Sequence, residues 1–174
     1  MAALKALFSR PVVLLVAVIA VFALGYSMVR GSATGGAVAA ASGGYTYDVP
    51  KGWDHRSPCH TIPLHQAGLA DDGCTKPDLN ADAGGYLMSM AVEPGRTGAD
   101  VASALATSVT GYELCTSQVS DGACLRNAAH HDQKGELRVR VFKTLAVVVL
   151  CLRTDRSAIV RGCDVVWNHV HVTS

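Results

Sequence analysis

Acidic residues and cysteines are both absent from the first 44 residues of this 174-residue chain. The same region carries three basic residues, Lys5, Arg10 and Arg30, so charge divides the chain into two parts. The remainder holds all 14 acidic residues against 12 basic ones, a net charge of −2 with neutral histidines. This near balance argues against a nucleic-acid-binding protein, which usually presents a strongly basic face, and against a polybasic lipid-binding patch.

Motifs that carry common enzyme chemistry are also absent. The chain has no G-x-S-x-G, no H-E-x-x-H, no phosphate-binding P-loop and no dinucleotide fingerprint. It also lacks a C-x-x-C pair, which removes the usual signature of a thiol oxidoreductase. We therefore expect a protein that is not an enzyme, with no catalytic residue, no metal and no cofactor.

One long hydrophobic run, Pro11–Val29, contains no charged residue. As a helix, its 19 residues would extend about 28 Å, close to the thickness of a bilayer core of about 30 Å. The run predicts a single transmembrane helix, retained as a signal-anchor. Its membrane-anchor residues are Val12, Leu15, Ile19 and Phe22.

Basic residues set the predicted orientation of this helix. Lys5 and Arg10 precede it, so the positive-inside rule places the N-terminus in the cytoplasm and the domain outside. A cleaved signal peptide is the alternative, with small residues Ala37 and Ala39 at the cleavage site. That site lies far beyond the apolar core, which favours the anchor. We expect a bacterial inner (cytoplasmic) membrane protein with a periplasmic domain.

The sequence divides into four segments on this hypothesis. Residues 1–10 form a cytoplasmic tail, and residues 11–29 form the transmembrane helix. Residues 30–44 are rich in Gly and Ala, which is typical of a flexible linker. Residues 45–174 form one extracytoplasmic domain, long enough for one hydrophobic core and too short for two.

An even number of cysteines lies in the domain. Behind a membrane-targeting segment, this indicates an oxidising compartment and about three disulfides. Fifteen connectivities are possible. Cys59–Cys74 would close a long loop, and Cys115–Cys124 would face each other if their hairpin turned near Val119 and Ser120. A turn at Asp121–Gly122 would put the second pair out of register. The six residues are Cys59, Cys74, Cys115, Cys124, Cys151 and Cys163.

The first half of the domain predicts two strands around a long loop. Residues Tyr45–Val49 alternate in the manner of a strand, Pro50–Gly52 form a turn, and Trp53 is expected to return to the core. Residues 55–85 contain several Pro, Gly and Asp residues and predict a loop. Tyr86–Val92 predicts the second strand.

A helix follows, capped by Thr97 or Asp100, with Val101, Leu105 and Val109 on one face. The predicted elements after this helix are mainly strands. Residues 163–172 fit either a terminal strand or a terminal helix. The predicted strands are Tyr112–Val119, Ala123–Ala128, Leu137–Phe142 and Ala146–Leu152, the last buried on both faces.

The fold class is therefore α+β: a single N-terminal transmembrane helix, then a disulfide-stapled antiparallel sheet with one or two helices packed on it. The segment YTYDVPKGW at Tyr45–Trp53, the helix near Asp100–Thr110 and the strand pair ending at Leu152 resemble Mog1/PsbP-like domains. The resemblance implies a non-enzymatic accessory module that docks on a membrane complex. It carries over no functional residue.

Histidine and cysteine side chains suggest metal sites as an alternative. A zinc site would use ligands within residues 55–74, although their spacing matches no standard finger or ribbon and an external compartment favours a disulfide. The candidate ligands are His55, Cys59, His60, His65 and Cys74.

Other polar groups suggest weaker sites. Asp78–Asp82 resembles the start of a calcium loop but lacks its later ligands, so a turn is favoured. His130 and His131 are adjacent and are expected to be solvated. His169 and His171 would share one face if their segment were a strand.

Two functional hypotheses follow. The first is a non-catalytic accessory or structural subunit of a bacterial membrane assembly, with other membrane protein subunits and the lipid bilayer as partners and no nucleic acid. The second is a small extracytoplasmic binding protein or metal-dependent enzyme that uses the His-rich loop at residues 55–65.

Overall fold

The computed structural model describes residues 34–173. The predicted transmembrane helix, with Val12, Leu15, Ile19 and Phe22, lies outside these residues and stays a prediction. Within residues 34–173, no helix is both long enough and apolar enough to cross a bilayer.

Strands dominate the described part of the chain, and two helices interrupt them. Every strand pair is antiparallel. The strands are β1 (Thr34–Ala39), β2 (Tyr45–Pro50), β3 (Asp54–Arg56), β4 (Ala70–Lys76), β5 (Gly84–Ala91), β6 (Tyr112–Leu114), β7 (Gly122–Asn127), β8 (Lys134–Phe142), β9 (Leu145–Leu152) and β10 (His171–Val172), and the helices are α1 (Gly98–Ala106) and α2 (Ser157–Asn168).

A seven-stranded sheet forms the middle layer, in the order β3-β4-β5-β9-β8-β7-β6. Side chains of its central strands alternate between two cores. Met88 and Val148 contribute to the core under α1, whereas Leu87 and Val149 contribute to the core under α2 and β2. All four are fully buried, so both faces are covered, as the continuous apolar run in β9 predicts. The antiparallel α+β prediction is confirmed for the described domain.

The predicted helix after β5 is confirmed as α1. Thr97 and Asp100 form a reciprocal capping box at its start, and Val101, Leu105 and Val109 are buried along one side. Hydrogen bonds from the Thr97 side chain and backbone hold the pKa of the Asp100 carboxyl below its usual value. The helix ends at Ala106, earlier than the sequence predicts, although Val109 still faces the core.

The ambiguous terminal segment forms a helix through Asn168 and a short strand only at its end. Ile159, Cys163 and Val166 are buried on its inner side. His169 ends the helix, with its Nδ1 atom 2.8 Å from the Val165 carbonyl oxygen. The alternative prediction, a strand with His169 and His171 on one face, is therefore wrong.

Trp53 is a partly buried contact of the core under α2, as predicted. Its ring lies against α2 at Gly162, where a Cβ atom would come within 2.1 Å of the ring. The missing side chain at this position therefore makes room for the indole.

The N-terminal boundary of the domain differs from the prediction. Residues 34–39, assigned to a flexible linker, form β1 and pair with β2. The second, three-stranded sheet has the order β1-β2-β10. Small residues suffice in β1 because it is an edge strand with mostly exposed side chains, stabilised through backbone hydrogen bonds.

Residues 55–85 are also more regular than predicted. Two strands, β3 and β4, lie in the segment that the sequence assigns to a loop. β4 reads ADDGCTK, which has no apolar alternation, yet most of its side chains are buried. The loop prediction fails here because hydrogen bonds, rather than apolar contacts, hold Asp71 and Asp72 in place.

All six cysteines pair in three disulfides. Cys59–Cys74 ties the loop before β4 to that strand. Cys115–Cys124 closes the β6–β7 hairpin, in the register expected for a turn near Val119 and Ser120. Cys151–Cys163 joins β9 to α2. These bonds indicate an oxidising compartment, outside the cytoplasm.

Candidate functional site

A groove runs beside β5 on the α1 face of the seven-stranded sheet. α1 packs on β7, β8 and β9, while the loop of residues 57–69 covers β4 and β5. The space between the helix and the loop exposes part of β5 and the residues after it. Met90 and Val92, both partly exposed, line its floor, and the fully buried Met88 lies beneath the first depression. We call this feature the β5 groove.

The groove comprises two adjoining depressions that share Gln66. The first has a volume of about 430 Å³ and lies under the loop, with Ile62, Leu64 and Leu69 in its walls. The second has a volume of about 340 Å³ and lies beside α1, with Val101, Ala104 and Leu105 in its walls. Both are lined by polar and apolar surface in similar amounts, with charged and histidine side chains at the rim. The rim residues are His60, His65, Asp71, Glu93 and Arg96.

Asp71 fixes the loop that forms one wall. Its two carboxylate oxygens accept hydrogen bonds from the backbone N–H groups of Cys59 at 2.9 Å and His60 at 2.7 Å. His60 has a φ of 66°, a left-handed conformation that a non-glycine residue seldom adopts. The adjacent Cys59–Cys74 disulfide holds the same point of the loop. This wall is therefore preorganised.

The other end of the loop is tied to the residues after α1. The Thr110 N–H donates to the Pro63 carbonyl oxygen at 2.8 Å, and Leu64 pairs with Val109 in an isolated β-bridge. The Gln66 side chain accepts a hydrogen bond from the Ser108 hydroxyl at 3.4 Å. The width of the groove therefore depends on this junction, and Gln66 lies between its two halves.

The structure separates the residues of the predicted zinc site. His60 and His65 both border the first depression, whereas His55 lies on β3 beside a different cavity. Cys59 and Cys74 form a disulfide, so neither offers a thiolate to a metal. Among residues 34–173, no three His, Cys, Asp or Glu side chains are grouped to hold one ion. The alternative prediction of a zinc site built from these five residues is therefore wrong.

The segment Asp78–Asp82 forms the favoured turn. The Asp78 carboxylate accepts the Asn80 N–H at 2.9 Å, and the Ala81 carbonyl accepts a hydrogen bond from Lys76 Nζ at 3.0 Å. The same ammonium lies 4.5 Å from the centre of the Tyr86 ring. Burial lowers the pKa of Lys76. The turn therefore has the structural role of covering a buried lysine.

The paired histidines are exposed, as predicted. His130 and His131 lie in the turn between β7 and β8, where the Asn127 side chain accepts the His130 N–H at 2.8 Å. They contribute to neither depression of the β5 groove.

Several groove residues were not identified from the sequence. The alternation of Met88, Met90 and Val92 indicates a strand, and it does not show which part of the strand is left partly open. Gln66 and Asp71 lie in a segment interpreted as an irregular loop. Their positions depend on contacts distant in sequence, because Gln66 bonds to Ser108 and Asp71 accepts the backbone N–H groups of Cys59 and His60.

An apolar floor with polar groups at the rim suits noncovalent binding. Such a site buries a hydrophobic group while rim donors and acceptors orient the ligand. The groove has no floor residue with nucleophilic or acid–base chemistry, because Met90 and Val92 are apolar.

No family model matches the chain, and no curated protein matches it in sequence. Among solved structures, the domain is similar to the solution structure of PsbP (CyanoP) from the cyanobacterium Synechocystis sp. PCC 6803. That match has 14% identity and a TM-score of 0.52, and it covers 83% of this chain and 95% of the cyanobacterial chain. A crystal structure from Bacteroides thetaiotaomicron VPI-5482 is more distant, with 10% identity, a TM-score of 0.38 and coverage of 81% of this chain and 49% of the other. The Synechocystis match confirms the resemblance predicted from the sequence: the domain has a PsbP-like fold.

Proposed function

We propose that this protein is a non-catalytic accessory subunit of a bacterial membrane assembly. The PsbP-like fold carries the proposal, because the resemblance implies an accessory module that docks on a membrane complex. The apolar run Pro11–Val29 supplies the anchor in this proposal, and the lipid bilayer is its second partner. The three disulfides support a position for the domain on the periplasmic side.

We propose the β5 groove as the contact site for an extracytoplasmic segment of another membrane protein subunit. Two features support this site. Its floor offers Met90, a partly exposed methionine whose flexible side chain adapts to apolar partners. Its loop wall is held by Asp71 and a disulfide, so less conformational entropy is lost on binding.

Gentle detergent extraction of the full chain, followed by native sizing, tests this function. The expected result is a complex far larger than the 18.2 kDa chain, with other membrane proteins in stoichiometric amounts. Migration as a free monomer would count against the proposal.

A matched pair of variants tests the site. Ala104 is exposed on α1 and borders the groove, so Ala104→Arg should obstruct it without altering the core. Ala99 is exposed on the same helix and borders neither depression, so Ala99→Arg is the control. We expect Ala104→Arg to lose the co-purifying subunits and Ala99→Arg to retain them. Equal retention by both variants would exclude the groove as the contact site.

A periplasmic small-molecule-binding protein is the second candidate. The observation that favours it is the placement of His60 and His65 at the rim of one depression, whose walls also contain Ile62, Leu64 and Leu69. Native mass spectrometry of the extracted chain would distinguish the two candidates. A bound small molecule on a monomeric chain supports the second candidate, and loss of that molecule in His65→Ala would locate it.

A further inference from the structure

The bulge in β4 connects the β5 groove to the opposite face of the sheet. Asp71 and Asp72 are adjacent, and the strand register shifts between Asp71 and Gly73. Asp71 lies on the groove side, where it borders the first depression. Asp72 is fully buried and contacts the β1–β2 turn. Two consecutive carboxylates therefore hold two segments on opposite faces.

Asp72 makes its contacts through one carboxylate oxygen and its backbone carbonyl. Its Oδ1 atom accepts the Ser42 N–H at 2.9 Å, and its backbone carbonyl accepts the Ala41 N–H at 3.1 Å. The same carbonyl also accepts a hydrogen bond from the Ser57 hydroxyl at 3.0 Å, at the start of the groove loop. The β1–β2 turn and the groove loop thus share one peptide unit.

The backbone at this point has little freedom to absorb a change. Gly73 has a φ of 144°, and a Cβ atom there would lie 2.7 Å from Tyr47 Oη and 2.8 Å from the Arg56 carbonyl oxygen. A bulge that relaxed by one residue would exchange the faces on which Asp71 and Asp72 lie. Contacts on one face therefore constrain those on the other.

We propose that the Asp71–Asp72 bulge couples the loop wall of the β5 groove to the β1–β2 hairpin. Loosening either segment lowers the free energy needed to open the other, and the coupling is reciprocal. It does not depend on what the groove binds. Its use as a signal, in which a docked subunit alters β1 through the groove loop, rests on the proposed function.

Hydrogen exchange of the full chain in detergent tests the coupling. Asp71→Asn weakens the contacts with the Cys59 and His60 amides and should accelerate their exchange directly. Across the sheet, we expect the amides of Ala41 and Ser42 to exchange about fivefold faster, the lower end of ordinary couplings. Asp72→Asn should in turn accelerate exchange at Cys59 and His60.

Asp78→Asn is the matched control, because Asp78 also accepts a backbone amide in a turn next to β4. It should change exchange only near Asn80. If Asp71→Asn changed the exchange rates only of residues 57–69, that result would overturn the proposed coupling. Uniform acceleration that includes β9 would also overturn it, since that result is a general loss of stability. The native sizing experiment tests the assembly and does not depend on hydrogen exchange. Failure of the coupling can therefore be told apart from failure of the proposed function.

Discussion

The contact between Trp53 and Gly162 gives a prediction in which two effects oppose each other. Replacing a glycine inside a helix with alanine normally stabilises the helix by about 1 kcal/mol. At position 162, however, the new Cβ would lie 2.1, 2.3 and 2.7 Å from three ring carbons of Trp53. Overpacking of this kind costs about 1–3 kcal/mol, and a contact with three atoms of one rigid ring places the cost near the upper end. We expect Gly162→Ala to destabilise the protein by roughly 1–2 kcal/mol.

Urea unfolding of the full chain, followed by far-ultraviolet circular dichroism, measures this change. A second pair of variants isolates the cause. In a Trp53→Ala background the ring is gone, so Gly162→Ala should become stabilising by about 1 kcal/mol. The reasoning is refuted if Gly162→Ala stabilises the protein when Trp53 is present, or if the sign of its effect is the same in both backgrounds.

Four further predictions concern capping, pH and crosslinks. Thr97→Ala should lower the free energy of unfolding by about 1 kcal/mol, as measured by thermal unfolding. The contribution of Asp100, whose pKa is lowered by Thr97, should be present above the ordinary aspartate pKa and disappear as pH falls through the lowered value. Burial, followed by nearby carboxylates, raises the pKa of Tyr47 to about 12, so the folded state keeps a proton that the unfolded state loses above pH of about 10. Stability should therefore fall as pH rises from about 10 to 12, and Tyr47→Phe should reduce that slope in denaturant titrations. Replacing Cys59 and Cys74 with serine should cost about 3 kcal/mol, measured without reductant, because the bridge spans 15 residues; an unchanged midpoint would contradict that account.

Local sequence patterns predict well the elements of this fold that are buried through apolar side chains. The buried run in β9, the alternation in β8 and the capped face of α1 each determine an element directly, because burial repeats with the period of that element. The antiparallel arrangement follows from the order of these elements, and the cysteine count predicts three disulfides, whereas their pairing comes from the structure.

The missed elements are stabilised by contacts that no local pattern contains. β1 consists of small residues and forms because β2 offers a backbone partner. β4 buries Asp72, which a hydrophobicity pattern places at the surface. The groove has the same origin. Met90 is partly exposed because it lies in the space between α1 and the loop of residues 57–69. Its position depends on tertiary packing.

The two edges of the seven-stranded sheet have a consequence for copies of this domain at high concentration. β3 and β6 are each three residues long, and β3 consists of Asp54, His55 and Arg56, all exposed. β6 is followed at once by the Cys115–Cys124 disulfide, which crosslinks it to β7. Short, charged or interrupted edges offer few free backbone groups to a strand of a neighbouring molecule. Copies of this domain held at high density can therefore collide without joining their seven-stranded sheets.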